Sequence, residues 1–132
     1  NVGFLLSNRT EEFTADIAAI VRAADPVGVK LMLELPLLNP RQREHAVAAA
    51  IDAGAAFVSI ASSAAVGIAD PATIAFLRAS VPASIGVKAS GGVQTVEQVR
   101  SLLAAGADLI GTSAGVNIVT GAGAVRGSLY SY

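Results

Sequence analysis

The chain has 132 residues with nine Lys/Arg, ten Asp/Glu, a net charge of −1 and no cysteine, enough for a single domain, residues 1–132, with a real core. So neutral a balance offers no footprint for nucleic acid or an anionic membrane; disulfides and thiolate metal sites are excluded, and no apolar run reaches the ~18 residues of a membrane span. Charged residues make up 14% against 53% apolar, well under the usual ~25% charge, so part of the surface is expected to be covered by another chain.

In chain order, "NVGFLLSNRT" has no charged region leading into an apolar stretch, so it does not read as a signal peptide. Without an initiator Met, and with strand-like character, it reads as the end of one strand in a chain that was cut, processed or split. Residues 11–24 place Phe13, Ile17, Ile20, Val21 and Ala24 on one helical face, with Thr10 as N-cap. "VGVKLMLELP" (27–36) reads as a strand closed by Pro36, with Lys30, Met32 and Glu34 on one face. Asn39-Pro40 opens a helix that turns Ala46, Val47, Ala50 and Ile51 inward and stops near Gly54. "AAFVSIA" (55–61) is a strand, and Asp70-Pro71 opens a helix with Ile74 and Leu77 toward the core. "ASIGVKAS" (83–90) is a strand. Thr95 and Gln98 form a capping box ahead of Val99, Leu102 and Leu103, and "ADLIGTSAG" (107–115) is the last clear strand. "NIVTGAGAVRGSLYSY" (117–132) fits a short helix or an ordered tail equally.

The helix starts at Asn39, Asp70 and Thr95 are spaced like successive strand–loop–helix units. "DAGAAFVSIASSA" (52–64) is echoed by "AAGADLIGTSAGV" (104–116). Repeated βα units with strands covered on both faces mean a parallel α/β architecture, doubly wound or barrel. About four and a half units are present, too few for eight strands.

Within "GVKASGG" the two-residue period sets Gly86, Lys88 and Ser90 on one face and Val87 and Ala89 on the other. In a barrel the small polar set faces the lumen, and Lys88 then stands near the strand C-termini, where barrel active sites lie. An amine there can attack a carbonyl or shuttle protons; a lysine at a strand end can equally snorkel to solvent. "SGG" and "GTSAG" are Gly/Ser loops after consecutive strands, and their backbone N–H groups can wrap a phosphate, helped by the helix that follows. Glu34, at the end of its strand, fits a polar role in the pocket, or a Lys30–Glu34 neighbourhood that only orders the interior. His45, among Arg41, Arg43 and Glu44, reads as a solvated surface residue. No histidine-based triad or metal cluster can be assembled from these motifs.

"VKLMLELPLL", "AIDAGAAFVSIASS" and "IGVKASGGVQTVEQVRSLLAAGADLIGTSAG" together resemble the C-terminal half of the deoxyribose-phosphate aldolase family, over residues 1 to about 121. The resemblance implies a partial (β/α)8 TIM barrel of four to five βα units with parallel strands. It also implies class I aldolase chemistry: a Schiff base on one lysine, joining acetaldehyde to glyceraldehyde 3-phosphate or the reverse, with no metal or other cofactor. Lys88 matches the family's second active-site lysine, which perturbs the first and helps move protons. Gly91, Gly92 and Ser113 match positions that hold the substrate phosphate.

Three departures accompany the match. Where the family carries its Schiff-base lysine, in a stretch like "FVKTSTG", this chain has "FVSIASS", with Ser59 in the lysine's place; serine forms no imine, and Lys88 is left without the second ammonium. "GTSSG" is here "GTSAG", so Ala114 removes one phosphate hydroxyl. The family's catalytic aspartate would precede Asn1. The expectation is therefore a degenerate or repurposed aldolase-like protein of the cytoplasm, binding a phosphorylated aldehyde or sugar through Lys88, Gly91, Gly92, Ser113, Ser59 and Glu34. Its barrel would be completed by a second chain or another copy. Three alternatives stand beside it: a working aldolase that uses Lys88 or Lys30, a non-catalytic barrel-completing subunit, and another phosphate-binding barrel enzyme such as an isomerase or synthase.

Overall fold

The computed structural model describes residues 1–121. Helices α1 (Val2–Leu6) and α2 (Thr10–Ala24) precede strand β1 (Lys30–Met32), a 3₁₀ turn (Leu35–Leu37) and α3 (Pro40–Asp52). Then come β2 (Phe57–Ser59), α4 (Pro71–Ser80), β3 (Gly86–Ser90), α5 (Val96–Ala104), β4 (Leu109–Gly111) and α6 (Gly115–Thr120). The four strands form one parallel sheet in the order β1-β2-β3-β4. Every connection therefore crosses over through a helix, as parallel pairing demands.

The helix starts are written locally. Asn39 accepts from the Gln42 N–H and Gln42 Oε1 accepts from the Asn39 N–H, both at 3.0 Å; Thr95 and Gln98 make the same reciprocal pair. Asp70 Oδ1 accepts from the Thr73 N–H at 2.9 Å. Burial pushes the Asp70 carboxyl up, but hydrogen bonds from Thr73 and the Ala72 backbone, with the charge of Arg43, outweigh it and hold the group below the ordinary aspartate value. Such caps satisfy orphan donors that burial would otherwise penalise.

One face of the sheet supplies the core. Val58, Val87 and Ala89 are fully buried, in one cluster with Ala46 and Ala50 of α3, Ile74 and Leu77 of α4 and Leu102 of α5. Each buried Ile or Leu side chain is worth about 1.5–3 kcal/mol. The other face runs in layers set by the register: Lys30, Phe57 and Gly86, then Met32, Ser59, Lys88 and Leu109, then Ser90 and Gly111. The alternation expected for β3 is present, Val87 and Ala89 buried and Gly86, Lys88 and Ser90 half-buried.

Several local expectations are corrected. "VGFLL" is a helix, not a strand end; Leu5 is buried and its carbonyl accepts from Gln42 Nε2 at 2.9 Å, so α1 is docked by α3. The helical turn at Thr10 is already formed, with Arg9 at the capping position and no side-chain cap. Ile20 and Leu103 each stay 47% exposed, because only Phe13 and Ile17 of α2, and Leu102 of α5, reach the core fully. His45 is half-buried between α2 and α3, 3.3 Å from Thr14 Oγ1 and tilted against the Phe13 ring. The 27–36 strand shrinks to three residues, since Glu34 adopts a left-handed backbone (φ 53) and ends the extended run. Of the 117–132 segment, residues 117–120 belong to α6 and residues 122–132 lie outside the described part.

Candidate functional site

At the C-terminal ends of the strands the loops after β2, β3 and β4 enclose a cleft of about 320 Å³. Lys88 and Ser90 of β3 form its floor. Gly91 and Gly92 make one wall, Thr112 and Ser113 another, and Ser62 and Ser63 of the β2–α4 loop a third. The expected meeting of the lysine and both glycine-serine loops at one end of the sheet is thus present in the geometry. Lys88 is the only charged side chain among the residues lining the cleft, which carries no carboxylate.

Two glycines make this geometry possible. Gly91 has φ +103, and a Cβ there would sit 2.5 Å from the Gly67 carbonyl oxygen; only glycine tolerates both the dihedral and the close approach. At Gly111 the reason is space. A Cβ would lie 2.9 Å from Lys88 Cε and 3.3 Å from Nζ, so the missing side chain lets the lysine stem lie across β4.

The β3–α5 wall is held from behind. Gly91 O accepts from the Ala69 N–H at 3.0 Å. Gln98 Oε1 takes the N–H groups of Gln94 and Thr95 at 2.7 and 3.0 Å. Because the capping box uses those donors, the α5 start offers the cleft less than the sequence suggested, and the glycine backbone offers more. Among the described residues nothing accepts from the Gly92 or Ser113 N–H. Such clustered backbone donors beside an ammonium suit a phosphate-sized anion.

Ser59 and Glu34 stand apart from the cleft lining. Ser59 is 1% exposed, with Oγ 3.4 Å from Ser90 Oγ. It lies beside the floor on the neighbouring strand β2, in register with Lys88. Glu34 reaches across from the end of β1, and its Oε1 accepts from the Ser62 N–H at 3.0 Å, so it holds a cleft wall from outside. Its Oε2 is buried without a hydrogen-bond partner among the described residues. Lys30 sits at the exposed β1 edge with Nζ 5.3 Å from the Phe57 ring centroid. The Lys30–Glu34 neighbourhood is replaced by these separate contacts. Sequence reasoning missed Ser62, Ser63 and Thr112; each follows the C-terminal end of a strand, which is the positional signal that could have found them. Among the described residues no group of three or more His, Asp or Glu is placed to hold a metal, and no helix is long and apolar enough to cross a membrane.

No profile of a known protein family matches the chain. The deoxyribose-phosphate aldolase of Brevibacillus brevis is 42% identical over 122 residues, covering 92% of this chain and 55% of the relative. That of Bacillus subtilis is 41% identical over 131 residues, covering 98% and 59%. This chain is a homologue of the deoxyribose-phosphate aldolases. It spans a little over half the length of these two aldolases. Solved structures agree. The deoxyribose phosphate aldolase of Aeropyrum pernix, described as tetrameric, matches with a TM-score of 0.77 at 31% identity over 84% of this chain and 49% of its own. An aldolase named QR15 matches with a TM-score of 0.79 at 30% identity over 92% and 55%. The four parallel βα units are therefore part of the TIM barrel of these aldolases.

Proposed function

We propose that the cleft binds a small phosphorylated aldehyde or sugar, the phosphate resting on the Gly91, Gly92 and Ser113 loops and the carbonyl carbon facing Lys88. The observation that carries this reading is the shared cleft: one ammonium and two glycine-serine loops at the C-terminal end of the sheet. The aldolase homologues support the substrate class.

Lys88 is the one amine in the cleft lining. As a free base it attacks the carbonyl carbon, and loss of water from the carbinolamine gives an imine, the electron sink that class I aldol chemistry needs. Ser59 cannot do this. With no carboxylate on the lining, the proton that departs with water has only hydroxyls such as that of Ser90 near it. The serine at position 59, which forms no imine, supports a degenerate or repurposed aldolase in which binding outlasts fast turnover, and the cytoplasm is the compartment proposed for it. The edges of β1 and β4 carry Met32 and Leu109, 53% and 36% exposed; a second chain or another copy continuing the barrel would cover them.

The test is borohydride reduction with acetaldehyde, followed by intact mass and peptide mapping. An adduct on Lys88 that vanishes in Lys88→Met supports a working amine. An unmodified chain removes the catalytic reading. A second reading, a non-catalytic subunit that completes a partner's barrel, is favoured by the buried serine at position 59. It predicts activity in the assembled complex that survives Lys88→Met.

A further inference from the structure

The two walls of the cleft are anchored unequally. The β3–α5 wall is pinned by the Ala69–Gly91 bond and by Gln98, whose Nε2 also donates to Gly92 O at 3.4 Å. The β4–α6 wall rests on apolar packing instead: α6 is six residues long with none fully buried, and its Ile118 packs partly buried against the core. Its polar tie to the opposite wall is one hydroxyl. Thr112 Oγ1 donates to the Val93 carbonyl on the opposite wall and accepts from the Ala114 N–H at 2.9 Å on its own. Among the described residues this is the one side-chain hydrogen bond that joins the two walls.

We propose that Thr112 is a positioning residue for anion binding: its hydroxyl clasps the two loops and sets the spacing between the Gly92 N–H and Ser113. This rests on reading the cleft as a phosphate cradle. Thr112 donates once and accepts once within the protein, so it acts through its neighbours. Without the clasp, the Ser113 loop must be ordered by the ligand at the moment of binding, and affinity falls by that cost. The hydroxyl, not the bulk, is what matters. Thr112→Val keeps the shape and leaves the Val93 carbonyl and Ala114 N–H unpaired, while Thr112→Ser keeps both bonds.

The experiment is titration of the full chain with inorganic phosphate, followed through the amide resonances of Gly92 and Ser113, in wild type, T112V and T112S. Losing the clasp is expected to weaken binding about tenfold in T112V, as loss of the one bond between the walls suggests, with T112S within about twofold of wild type. The amide resonances of Val58 and Leu77, buried in the core away from the cleft lining, supply the readout that general damage would also move, and they should match in T112V and wild type. Equal phosphate affinity in wild type and T112V overturns the clasp while leaving the cradle. Core resonances that shift together with the loss of binding overturn it in favour of a structural role. Absence of phosphate binding by wild type overturns the cradle, and the clasp with it. Should T112V fail to fold, Thr112→Ala, which removes the hydroxyl without a second methyl, carries the same comparison.

Discussion

The two ends of the sheet are built by different means. At the N-terminal end one side chain gathers the structure. Arg78, in the last turn of α4, donates through Nη2 to the carbonyls of Val81, Pro82 and Ile85 at 2.8–3.1 Å and through Nη1 to Asp108 at 3.0 Å. Asp108 in turn accepts from the Val87 N–H at 2.8 Å. At the C-terminal end the walls are short glycine- and serine-bearing loops, and among the described residues the Gly92 and Ser113 N–H groups have no acceptor. Arg78 fills backbone carbonyls at one end; at the other, Gln98 and Glu34 take the N–H groups of Gln94, Thr95 and Ser62 and leave those of Gly92 and Ser113 available. A barrel fragment thus separates what holds it together from what it offers to a ligand.

That division can be broken in a graded way. Gly91→Ala should have the largest effect and hit both properties. The residue must hold φ +103 with its new methyl 2.5 Å from a backbone oxygen, so a loss of about 2–4 kcal/mol is expected, with phosphate binding lost alongside. Denaturant melts and the phosphate titration check this; unchanged binding in a destabilised G91A would mean the cradle does not need that turn.

Arg78→Ala should strike stability alone, by about 2–3 kcal/mol, because three carbonyls lose a donor. Little of that comes from the ion pair, since the Asp108 side chain is 51% exposed. Phosphate affinity should not move. A large fall in affinity with R78A would show that the two ends are coupled and would dissolve the contrast.

The smallest effect is expected at the α4 N-cap. Asp70→Ala should cost about 1 kcal/mol at neutral pH. The folded carboxyl titrates below its ordinary value, so its contribution is present above the unfolded aspartate value of about 4 and fades as pH falls through the folded one. Melts of wild type and D70A should therefore converge in acid; a constant gap across pH would remove the charge from the explanation.

Much of this was legible beforehand, and for local reasons. Asn39-Pro40, Asp70-Pro71 and Thr95-Val96-Glu97-Gln98 announce helix starts because the caps bond within three residues. The alternation in "GVKAS" set Lys88 opposite Val87 because pleating has a period of two. What was illegible depended on partners elsewhere in the chain. "VGFLL" is too short for periodicity to separate helix from strand, and Gln42, 37 residues away, bonds α1 in place. Glu34 gave no sign that it would leave the strand to hold Ser62. Nor did Arg78, an ordinary helix residue until three carbonyls converge on it.

By itself, then, the sequence determined the βα repeat, the helix caps, the face on which Lys88 stands and the loops that follow it, since these obey rules of a few neighbouring residues. Tertiary structure alone decided that Ser59 lies buried beside Lys88, that His45 packs between two helices, and that Thr112 joins loops 19 residues apart. Those outcomes depend on which strands pair and in which register, because only the folded sheet brings distant hydroxyls, carbonyls and amides within 3 Å or so of one another.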